Sequence, residues 1–79
     1  MRYIVLGLGN IGLKRKFFLG PKCVATVDPF NKDSNYEKYE DVPLDSFDAA
    51  IISTPNKFKW ELLNYLISNC KHVLIEKPF

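Results

Sequence analysis

Cysteine is scarce in this chain. Cys23 and Cys70 are the only two among 79 residues, which gives neither a disulfide framework nor the paired spacing of a metal site. Both read as ordinary buried thiols of a cytoplasmic chain, since free cysteine packs as a small hydrophobe. A strong charge of either sign is also missing. Eleven Lys and Arg against nine Asp and Glu leave +2, too weak a balance to argue for nucleic acid or an anionic membrane. No apolar run approaches the roughly 18–20 residues that cross a bilayer. The opening MRYIVLGLGN has a basic residue and an apolar stretch, but two glycines and an asparagine interrupt it and no small-residue cleavage site follows. It reads as a strand and a turn.

What is present is apolar material: 47% hydrophobic and 14% aromatic residues, ample for a packed core and incompatible with a disordered tail. At this length the chain is one domain at most, and domains near this size bury only about 60% of the surface their unfolded chains expose. Tyr3 to Leu6 is a short apolar run ending on Gly7, read as a buried strand. Asn10 to Leu19 follows as a helix, with Asn10 as its cap and Gly20-Pro21 as its stop. Cys23 to Val27 is a second strand, ended by Asp28-Pro29; residues 29–41 are polar and read as a loop with room for one helical turn. Val42 to Phe47 fits either a short strand or a turn of helix. Ala49 to Ser53 is a third strand and His72 to Ile75 a fourth. Between them Lys57 to Asn69 carries Phe58, Leu62 and Leu66 at helical spacing. Strands apolar on both faces, alternating with helices, point to an α/β fold: an open, mainly parallel sheet with flanking helices.

One motif carries chemistry. Gly7-Leu8-Gly9-Asn10-Ile11-Gly12 fits GxGxxG between a strand and a helix. The first glycine permits a tight turn, the second lets a pyrophosphate approach the backbone, and the third lets the helix pack close to the strand. The amides at the helix start then favour the anion. Asp28 stands 28 − 7 = 21 residues after Gly7, at the end of the second strand. A carboxylate there can accept both adenosine ribose hydroxyls and would repel a 2′-phosphate, which favours NAD over NADP, although Lys32 is near. The bland alternative is that the glycines only turn the chain and Asp28 only caps a loop.

Together with this motif, Ser53-Thr54-Pro55-Asn56 and Lys71-His72-Val73-Leu74-Ile75-Glu76-Lys77-Pro78 resemble the glucose–fructose oxidoreductase/inositol dehydrogenase (Gfo/Idh/MocA) family, over essentially the whole chain. The resemblance implies an amino-terminal Rossmann domain, here residues 1–79 and incomplete, followed in the family by a substrate domain absent from this chain. It implies hydride transfer between a nicotinamide cofactor and a hydroxyl carbon of a sugar, cyclitol or sugar nucleotide. It places Ser53, Thr54, Pro55 and Asn56 against the cofactor. It also brings Glu76 and Lys77 to the nicotinamide, with Lys77 as the catalytic lysine beside the substrate hydroxyl. Such a lysine can hold a developing alkoxide or relay its proton.

The chain departs from the family in several places. Arg15 and Lys59 stand where family members have histidines, and Cys70 stands where a glycine commonly precedes KHV, which suggests a different helix exit. The stretch from Asp28 to Ala49 is too short for a full crossover helix, so that sheet edge should be pared down. His72 reads as structural, and Trp60 and Tyr65 as packing residues. Lys14, Arg15 and Lys16 read as a solvated helix face, with a small phosphate-anion binder as the lesser alternative. The expected partners are a dinucleotide and a separate substrate domain. The competing reading is a non-catalytic Rossmann binding or assembly module that associates with itself or another chain.

Overall fold

The computed structural model describes residues 1–53 and 56–75, without the side chains of Asn10, Ile11, Asn56, Lys57 and Phe58. The elements are β1 (Tyr3–Leu6), α1 (Asn10–Leu19), β2 (Cys23–Val27), β3 (Ala49–Ile52), α2 (Asn56–Ser68) and β4 (His72–Ile75), with single 3-10 turns at Gly20–Lys22, Tyr39–Asp41 and Leu44–Ser46. The four strands form one parallel sheet in the order β2-β1-β3-β4. The chain runs outward from β1 to β2, then returns past β1 to place β3 on its other side. That reversal opens a crevice at the carboxyl ends of β1 and β3, where open α/β sheets take their ligands.

Alternation along the strands divides the core. Ile4, Leu6, Ala25, Val27, Ala50 and Ile52 meet Leu62 and Leu66 of α2, together with Val42 and Phe47 from the β2–β3 connection. Val5 lies on the opposite face, beneath α1. β4 is half covered: Val73 and Ile75 pack against the core cluster, while His72 and Leu74 face outward.

The β2–β3 connection replaces a crossover helix with hydrogen bonds to the sheet edge. Asn35 accepts from the Thr26 backbone N–H (2.9 Å) and hydroxyl (3.2 Å) through Oδ1, and its own N–H donates to Thr26 O (3.1 Å). Tyr36 forms a parallel bridge with Val27, and Ser34 Oγ donates to Asp28 O. The edge is pared down, as the shortness of this stretch implies, and the backbone groups of Thr26 on it are still paired. Further along, Tyr39 and Tyr65 meet edge to face at 4.8 Å, and Tyr39 donates to Glu61 Oε1 at 2.9 Å. Burial first, then Glu61, pushes the Tyr39 phenol up to about 12. At the other end of the sheet, the Arg2 guanidinium and backbone N–H both bind Asp48, holding its carboxyl at about 2, below the usual carboxylate range.

Four expectations need correction. The cap position of α1 is Gly9, not Asn10, and no side chain caps it. Trp60 is 73% exposed and so is not a core packing residue, whereas Tyr65 does pack on the core. Cys70 is exposed and Cys23 half-buried, so neither is an ordinary buried thiol; partial burial raises the Cys23 pKa. The helix exit at Cys70 is also the one a glycine would give. Its N–H donates to Ile67 O (3.0 Å) and that of Lys71 to Leu66 O (2.9 Å), a Schellman closure with Cys70 left-handed at φ 58°. A side chain there is strained, so Cys70→Gly should stabilise the fold by about 1 kcal/mol, raising Tm by roughly 4–8 °C. An unchanged or lower melting temperature would contradict that account.

Candidate functional site

The glycine loop leaves β1 at Gly7, whose φ of 99° only glycine adopts at ease. Its N–H continues the sheet ladder to Val27 O at 2.7 Å. The loop then enters α1, whose first intrahelical bond runs from Leu13 N–H to Gly9 O at 2.9 Å. The amides before Leu13 therefore have no partner within the helix, the ordinary source of an anion site. Gly12 sits directly on the loop: a Cβ there would lie 1.9 Å from Gly7 O. This contact brings the helix start against the end of β1. Gly9 differs. Its φ of −69° suits any residue, and a Cβ built on it would meet nothing within 4 Å.

Two other sequence-designated residues reach this crevice. Asp28, at the end of β2, accepts from Leu8 N–H through Oδ2 (2.8 Å) and from Phe30 N–H through Oδ1 (2.9 Å). Ser53, at the end of β3, donates its N–H to Leu6 O at 2.8 Å. Among the described residues its buried hydroxyl has no hydrogen-bond partner. An unpaired buried hydroxyl costs about 1–3 kcal/mol, which a polar ligand atom can recover. The crevice thus combines free helix amides, an open glycine and an orphaned hydroxyl, and these fit a dinucleotide.

Gly7, Gly9, Gly12, Asp28 and Ser53 are brought together at the carboxyl ends of neighbouring strands. Asn10 and Ile11 form the first turn of α1, and Asn56 begins α2. Thr54, Pro55, Glu76, Lys77 and Pro78 lie outside the described residues. For two lysines that the sequence marks by position, it gave no sign of their packing. Lys59, in the first turns of α2, is buried. Lys71 donates through Nζ to the carbonyls of Leu44 and Phe47 (2.6 Å to the latter) and sits 4.6 Å above the Phe47 ring. Both arrangements depend on tertiary packing, which neither the motif position of Lys71 nor the departure at Lys59 reveals.

Glycine loop, sheet order and crevice define a dinucleotide-binding Rossmann domain. Residues 21–79 match the Gfo/Idh/MocA oxidoreductase family with an NAD-binding Rossmann fold, and the chain belongs to that family. The glycine loop precedes the matched span and is independent support. No curated protein and no solved structure gave a significant match. Among the described residues, no helix is long and apolar enough to cross a membrane.

Proposed function

We propose that this chain is the cofactor-holding part of an oxidoreductase acting on a hydroxyl carbon of a sugar, cyclitol or sugar nucleotide, with NAD preferred over NADP. The bound nicotinamide would supply or accept the hydride. The loop amides and Gly9 would take the pyrophosphate, Ser53 would hydrogen-bond the cofactor, and Asp28 would meet the adenosine ribose. Thr54, Pro55, Asn56 and Glu76 are assigned to the cofactor, and Lys77 to the substrate hydroxyl, on the family motif. Substrate binding and turnover are assigned to a substrate domain of the kind that the family resemblance implies.

The observation that carries this reading is Gly9. Gly7 and Gly12 are required by the chain's own dihedral and packing, whereas among the described residues nothing fills the space a side chain at Gly9 would occupy. Titration with NADH and NADPH, followed by nicotinamide fluorescence and thermal shift, should show saturable binding that favours NADH. A true ligand stabilises by about 2.7 kcal/mol at a hundredfold excess over Kd. Gly9→Ala should melt within a few degrees of the parent and lose that binding. Failure of the parent to bind either cofactor at millimolar concentration would reject the proposal.

A second reading, an assembly module without chemistry, is favoured by one observation. Phe17 and Phe18 on α1 are each 84% exposed, adjoining Leu13 on a helix that carries Lys14 and Lys16. A concentration-independent monomer in sedimentation would count against it.

A further inference from the structure

The peptide unit that joins Gly7 to Leu8 is gripped at both ends. Its carbonyl oxygen lies against Gly12, close enough to exclude any Cβ, and its N–H donates to Asp28 Oδ2 at 2.8 Å across 20 residues of sequence. The other carboxylate oxygen is anchored by Phe30 N–H at 2.9 Å, which fixes the carboxylate to the turn that follows β2. Before Gly7 the loop is tied by the ladder bond to Val27; after Leu8 the next backbone bond is the first one of the helix, from Leu13 to Gly9. Gly7 and Gly9 on either side have no side chain with which to hold a conformation, and glycine loses the most backbone freedom on ordering.

We infer that Asp28 is a positioning residue for the pyrophosphate site: its carboxylate orients the Gly7–Leu8 peptide, and through it the glycine loop and the first amides of α1. This goes beyond contact with a ribose and rests on reading the crevice as a dinucleotide site. One carboxylate then couples the two halves of the cofactor. Its fixed N–H partners leave lone pairs for ribose hydroxyls, while its hold on Leu8 presets the loop for the anion.

The discriminating probe is an anion with no ribose at all. Inorganic pyrophosphate and NADH are titrated into the parent, Asp28→Asn and Asp28→Ala, with backbone amide exchange measured by NMR in each. Charge alone predicts that removing the carboxylate leaves pyrophosphate binding unchanged or tightens it, and a ribose contact predicts no change. The positioning role predicts the opposite. Pyrophosphate and NADH should both weaken by about tenfold or more, the scale of one lost hydrogen bond to a charged group, and Leu8 amide exchange should accelerate similarly. In the parent, the Leu8 amide should exchange as slowly as neighbouring sheet amides.

If a variant weakens NADH alone, the positioning role is overturned and the dinucleotide reading stands. Parent protein that binds neither probe overturns both. Should one variant fail to fold, the other is read, and a fast-exchanging Leu8 amide in the parent would overturn the positioning role without either.

Discussion

Gly12→Ala should cost the chain most or all of its stability, about 3 kcal/mol or more, with Tm falling by roughly 12 °C or more. The added methyl carbon would lie 1.9 Å from Gly7 O and 2.9 Å from Gly7 C, and both are backbone atoms in a loop held by its own hydrogen bonds. A flexible side chain could swing aside; a peptide pinned by Asp28 cannot. Either α1 lifts from β1, exposing Val5 beneath it, or the Gly7–Leu8 peptide turns and breaks the Leu8 bond. A domain of this size has a total stability of about 4–12 kcal/mol, so a loss on this scale decides whether it folds. Circular dichroism melts of Gly12→Ala beside Gly9→Ala make the comparison internal. A Gly12→Ala protein that melts within two degrees of the parent would show that the helix is not seated on the loop.

The two glycines look alike in the motif and act differently in the structure, which shows how far sequence can be read. Short apolar runs ended by Gly7, Asp28 and Thr54 gave the strands nearly to the residue, because parallel strands are buried on both faces and their ends are marked by turn formers. The spacing of Leu62 and Leu66 gave α2 within one residue at each end. The β2–β3 connection was legible as a loop with room for a helical turn, and the turns at Tyr39–Asp41 and Leu44–Ser46 fit that reading. Its order comes from Asn35 and Ser34 bonding to strand carbonyls and amides, which no periodicity records. Asp28 was found by its spacing, but its partners Leu8 N–H and Phe30 N–H were not, since backbone donors carry no sequence label. Cys70 was misread for a related reason. The Schellman closure is a backbone requirement that the chain meets with a strained residue in place of the one that fits. Trp60 failed through the assumption that aromatics on an amphipathic helix face inward; its position falls on the outer arc of α2.

Phe47→Ala is the second large effect, about 3–5 kcal/mol, and it tests how a shortened connection still covers the sheet. Phe47 is 1% exposed and is the largest fully buried side chain among the described residues. It comes from no helix and no strand; it follows the Leu44–Ser46 turn and packs with Ile4, Leu6, Ala50 and Ile52. With Val42 it supplies core volume that a crossover helix would otherwise provide. Lys71 holds this arrangement from the far side, bonding the Leu44 and Phe47 carbonyls and placing its ammonium over the ring, a contact contributing about 0.5–1 kcal/mol. Alanine would therefore remove the ring contacts, leave a cavity against the sheet and deprive Lys71 of its aromatic neighbour, while the two carbonyl bonds stay. Phe47→Leu should lose much less, about 1.5 kcal/mol or under, because it keeps most of the volume. Urea unfolding of both variants, with the midpoint converted at a common slope, separates cavity from contact. If Phe47→Ala cost under 1 kcal/mol, the 42–48 segment would be a passive loop and the core would close without it.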